Sequence, residues 1–90
     1  MTDEEHVRRA EQAKAILDHA LWREAWDVYR ARLLAQMEAA SDEDVDGVMH
    51  AKRLLLVAQE ARSYLEQLVQ QGAISAETIK ITDDRKRWFR

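Results

Sequence analysis

Ninety residues bound the chain to one domain at most, and a chain this short buries only about 60% of its unfolded surface. The absence of cysteine excludes disulfides and thiolate metal sites, and no uncharged run approaches the roughly 20 residues of a membrane-spanning helix. The net charge is −3 with 34% charged and 47% hydrophobic residues, a balance that folds, and the lack of proline with only two glycines predicts few turns and long helices.

The opening Met1-Thr2-Asp3-Glu4-Glu5 is acidic where a targeting segment would be basic, so no secretory leader is expected. Thr2 is placed to cap a first helix over about 3–17. Asp3, Glu4 and Glu5 in its first turn complement the helix dipole, and Glu5 has capping-box spacing from Thr2. Val7, Ala10, Ala13, Ile16 and Leu17 give this helix a thin apolar face. A break or bend is expected near Asp18-His19, because the apolar pattern becomes much richer just beyond it. In a second helix over about 19–40, Trp22, Trp26, Tyr29, Leu33 and Met37 recur at steps of four, three, four and four. Leu21, Ala25 and Val28 widen that stripe.

Ser41-Asp42-Glu43-Asp44 is the clear interruption, with Ser41 read as the cap and Asp44 three residues on. A third helix is expected over 42–71, ending at Gly72 as a residue just past the last turn. Its seam is Leu54, Ala58, Ala61, Leu65 and Leu68, at steps of four, three, four and three, broadened by Val45, Val48, Leu55 and Val69. The short connection makes the second and third helices antiparallel neighbours, with the small Ala58 and Ala61 placed opposite Trp22 and Trp26. The expected fold is therefore all-α: a long antiparallel helical hairpin with a shorter N-terminal helix in a 1–72 domain, followed by a C-terminal arm over 73–90. Ser75 offers the arm a weak cap, and Ile79-Lys80-Ile81-Thr82 alternates over too few residues to make a sheet, so the arm is read as extended or partly helical.

Asp42-Glu43-Asp44-Val45-Asp46-Gly47 matches the first half of a calcium-binding EF-hand loop, with acids at positions one, three and five and glycine at six. Position twelve, which needs a bidentate Glu, is Arg53, a cation that repels the metal. Asp42, Asp46 and His50 fall at i, i+4 and i+8, a spacing that could hold zinc or manganese, but no fourth ligand is evident and helix-surface pairing of His50 with Asp46 accounts for them. Glu24 and Asp27 are flanked by Arg23 and Arg30, with no histidine or nucleophile converging on them. No glycine-rich phosphate loop is present. The expectation is a non-enzyme without cofactor or metal.

Two features point to binding instead. Trp22, Trp26, Tyr29, Leu33 and Met37, with Leu54, Ala58, Ala61, Leu65 and Leu68, make apolar faces wider than one helix pair buries, so they serve as core or as a self-association face. The second feature is the end of the chain. Arg85-Lys86-Arg87-Trp88-Phe89-Arg90 sets two aromatics among four positive charges, and without those charges the net would fall from −3 to −7. Against an otherwise acidic chain this reads as a protein-docking peptide in preference to a nucleic-acid site, with Trp88 and Phe89 as anchors.

The layout resembles a family of short helical proteins encoded among the head-assembly and DNA-packaging genes of tailed bacteriophages and prophages. The resemblance rests on Ile16-Leu17-Asp18 leading into Leu21-Trp22-Arg23-Glu24-Ala25, on the acidic Ser41–Asp46 loop before a long helix with Tyr64-Leu65 and Gly72, and on the Arg85-Lys86-Arg87-Trp88 end. It spans nearly the whole chain through loose features, and relatives of this type have a longer stretch between the glycine and the basic end. It implies a phage morphogenesis setting and no established activity. The expected partners are a second copy of the chain and another protein, such as a capsid, portal or terminase component, in the host cytoplasm or in the virion, neither secreted nor membrane-bound. The alternative it implies is a small-terminase-like accessory or regulator that binds nucleic acid, although no helix-turn-helix is recognisable.

Overall fold

The computed structural model describes residues 1–88 and is all-α. Helix α1 spans Asp3–Asp18, α2 spans Ala20–Ala39 and α3 spans Val45–Trp88. The chain divides into two compact units, one made of residues 18–63 and one that joins residues 1–17 to the chain from Tyr64 onward.

The first of these is the hairpin. Its entry is the expected break: His19 has extended backbone (φ −68°, ψ 127°), and its own ring does the capping, Nδ1 accepting the Leu21 N–H at 3.2 Å. After α2, the Ala40 N–H still donates to the Gln36 carbonyl at 3.1 Å before ψ of 141° turns the chain out of the helix. A tight turn follows, closed by the Asp44 N–H on the Ser41 carbonyl at 3.0 Å. The cap of α3 is Asp44, not the expected Ser41. Its Oδ1 accepts the Gly47 N–H at 3.0 Å and its carbonyl accepts the Val48 N–H at 3.2 Å, so α3 begins at Val45, not at 42. Asp44 carries a full charge to the positive end of the helix dipole, which a serine does not. Within the unit, Leu33 and Ala51 are each only 2% exposed. Trp22, Trp26, Met37, Val48, Leu54, Leu55 and Ala58 are half-buried.

The other unit sets α1 antiparallel to the C-terminal part of α3, with His6 beside Ser75 and Ala10 beside Gly72. Here the structure departs from expectation: α3 runs straight through Gly72 as far as Trp88, the last described residue. Residues 73–88, expected as an arm extended or partly helical, are helical throughout. The reason is packing. A Cβ at Gly72 would overlap the Cβ of Ala10 and lie 3.2 Å from the His6 carbonyl oxygen, so glycine admits α1 to close range. No glycine in the described residues has positive φ, so Gly72 supplies absence of a side chain and not a left-handed helix end. Ala13 on α1 and Ser75 on α3 are buried in the same unit. Further along, the Thr78 hydroxyl donates to the Ile74 carbonyl at 3.0 Å and the Thr82 hydroxyl to the Thr78 carbonyl at 2.9 Å, which lets threonine persist inside a helix. Arg85, Lys86 and Arg87 then occupy the last turn, where cations favour the negative end of the dipole. At the other end of this unit, Thr2 caps α1 as expected, its Oγ1 accepting the Glu5 N–H at 3.2 Å.

Candidate functional site

The hairpin unit carries an apolar groove of about 350 Å³ lined by Trp22, Ala25, Trp26, Tyr29, Ala58 and Ala61. It forms because large aromatics on α2 stand over alanines on α3, and no alanine can fill the space between two indoles. The pairing of Trp22 and Trp26 with Ala58 and Ala61 is thus the one read from the sequence. Sequence spacing did not show that Arg62 joins it, its guanidinium lying 5.3 Å from the centroid of the Trp26 ring. Tyr29 and Ala61 are exposed at the groove.

A second cavity, about 270 Å³, sits at the α2–α3 turn. Met37, Val45, Val48 and Met49 supply its apolar wall, and Ala40, Ser41, Asp42 and Asp44 supply the rest. Met49 was not singled out by the stripe, although it lies one helical turn beyond Val45 on the same side. Glu43 and Asp46 are exposed beside it.

The acidic turn does not have the form of a calcium loop. Helix α3 starts at Val45, so most of the would-be loop is regular helix, and Asp44 is engaged in the cap. Asp42 lies before the helix and so does not share a helical face with Asp46 and His50. Among the described residues, no three His, Asp or Glu side chains gather at metal-binding range. Glu24, Asp27, Arg23 and Arg30 are all exposed on α2.

The remaining seam residues, Leu65 and Leu68, are half-buried in the unit built with α1. That unit also holds two polar contacts. His6 Nδ1 lies 3.1 Å from the buried Ser75 hydroxyl, and Arg9 donates to the Tyr64 hydroxyl at 3.0 Å. At its far end Arg85, Lys86 and Arg87 are exposed, and Trp88 is 86% exposed. Phe89 and Arg90, the other two residues of the expected docking peptide, lie outside the described residues. Among the described residues, no helix is long and apolar enough to cross a membrane.

Neither protein-family models, nor curated proteins, nor solved structures provide a match to this chain.

Proposed function

We propose that this protein works by binding, as a non-catalytic helical interaction protein that self-associates and docks other protein through the end of α3. One observation carries the reading: Leu33 is the only large apolar side chain buried among the described residues, while apolar groups as large as Leu21, Leu56, Tyr64, Ile74 and Trp88 stand exposed. Exposed apolar groups mark an interaction surface where they gather into one patch, as they do around the aromatic groove. The aromatic groove and the basic-aromatic helix end are the two patches with the residue types that dominate binding energy, Trp, Tyr and Arg.

The setting we propose is head assembly or DNA packaging in a phage-like particle, and it rests on the resemblance given above. A portal, capsid or terminase gene beside this one supports that setting, and a neighbourhood of unrelated genes removes it. Binding itself is tested by light scattering at about 10–100 µM together with deletion of residues 85–90. An oligomer, and loss of partner recruitment on deletion, are the expected results. A monomer whose partner recruitment survives the deletion sinks the proposal. Duplex DNA binding with a log–log salt slope of about −3 would replace it with the nucleic-acid alternative.

A further inference from the structure

The two ends of α3 are complementary in chemistry. At its start, the 270 Å³ cavity has methionine and valine walls and an acidic rim. Asp42, Glu43, Asp44 and Asp46 place four carboxylates within five residues there. At its finish, Arg85, Lys86 and Arg87 occupy one turn, and Trp88 projects with nearly all of its surface in solvent.

We propose that the end of α3 docks in the turn cavity of a second copy, Trp88 entering between Met37, Val48 and Met49 while the three cations lie against Asp42, Glu43 and Asp46. This deepens the reading above, on which it rests, by naming the partner of the basic-aromatic end.

Three observations carry it. The cavity falls just below the about 300–1,000 Å³ of small-molecule sites, so it suits one large side chain better than a cofactor. Its walls contain two methionines, whose flexible thioethers adapt to and favour an aromatic ring. Its rim is acidic where the entering peptide is basic, and opposed charges steer and orient an encounter. Because the two patches differ, the contact is heterologous: each copy offers one end and one cavity, so copies join head to tail into a ring or a filament.

Sedimentation velocity on the full chain tests this. The wild type is expected to associate with rising concentration, less so at high salt. Trp88→Ala should weaken association by about 30-fold or more, as loss of a buried aromatic anchor does. Reversal of the helix end (Arg85→Glu, Lys86→Glu, Arg87→Glu) and reversal of the turn (Asp42→Lys, Glu43→Lys) should each abolish it. Asp44 is left intact because it caps α3. Mixing the two reversed proteins should restore association, since each then meets its complement, and recovery on mixing separates a lost contact from a lost fold. A wild type that stays monomeric at about 100 µM overturns the proposal. So does a wild type whose association none of these variants changes, or a helix end that binds duplex DNA and no second copy. In the first two cases the interaction reading itself survives if deletion of residues 85–90 still removes recruitment of another protein, whereas duplex binding replaces it with the nucleic-acid alternative.

Discussion

The two units solve helix pairing in opposite ways. In the hairpin, large side chains on α2 meet small ones on α3, and the mismatch leaves a groove of about 350 Å³. In the unit built from α1 and the end of α3, small meets small: Ala10 packs on Gly72, and the buried Ser75 meets His6. The first arrangement tolerates change at its open side and offers a place to bind. The second has no spare room and transmits any added atom to the backbone.

The largest effect should come where the hairpin is closed. Leu33 is the one large apolar side chain that the hairpin buries, at 2% exposure. Leu33→Ala should therefore cost about 3 kcal/mol, with a lower urea midpoint at fixed protein concentration. A loss of under about 1 kcal/mol would show that the hairpin collapses freely around the site, and the contrast with the tight unit would fail.

Gly72→Ala sharpens the same contrast from the other side. Replacing a mid-helix glycine with alanine ordinarily stabilises by about 1 kcal/mol. Here the new methyl meets the Ala10 Cβ and the His6 carbonyl, neither of which can rotate away. Overpacking of this kind costs about 1–3 kcal/mol, so the net change should be a destabilisation of up to about 2 kcal/mol. A raised midpoint in the same titration would mean that α1 can step aside.

This glycine also shows what was legible in the sequence and what was not. The break at Asp18-His19, the hairpin and the opposition of two tryptophans to two alanines all follow from apolar spacing, because large side chains mark the face they occupy. The seam 54, 58, 61, 65, 68 extends by the same steps to 72, 75 and 79, so the continuation of α3 was latent in the numbers. It was hidden because the next two seam residues are Gly and Ser, which carry no hydrophobic signal and are the usual marks of a helix end. Only the approach of α1 gives them a reason to lie inside a helix. Alternation in Ile79-Lys80-Ile81-Thr82 misled for a related reason: threonine favours strands until its hydroxyl finds the carbonyl four residues back. The cap at His19 was illegible in detail, since imidazole is not among the preferred capping groups. The turn cavity was half-legible, with its acids obvious and Met49 unnoticed.

A smaller effect is expected at the polar point of the tight unit. Ser75 is 4% exposed, and its hydroxyl lies 3.1 Å from His6 Nδ1. Ser75→Ala removes that bond without adding volume and should cost about 1 kcal/mol. His6 is only half-buried, so its ring can recover a water partner, and that limits the loss. Equal unfolding midpoints for the variant and the wild type would mean that the contact contributes no net stability.

The smallest change should be Gly47→Ala, in the same helix as Gly72 and also expected to clash on placement alone. A Cβ at Gly47 would crowd the Asp44 carboxylate, with Oδ1 2.8 Å away. The obstacle is now the end of an exposed side chain, not a backbone or a neighbouring Cβ, so it can swing aside. Moving it weakens the cap that Asp44 makes on the Gly47 N–H, typically worth about 1 kcal/mol. Alanine returns a similar amount by restraining the unfolded chain and favouring the helix. The two terms oppose at nearly equal size, so the net should fall within about 0.5 kcal/mol of zero. Two glycines in one helix, each with an obstructed Cβ, should thus respond differently because one faces a movable carboxylate and the other faces a packed helix. If Gly47→Ala instead proved as costly as Gly72→Ala, the turn would have to be as rigid as the small-on-small contact, and the cavity beside it could not adapt to an incoming side chain.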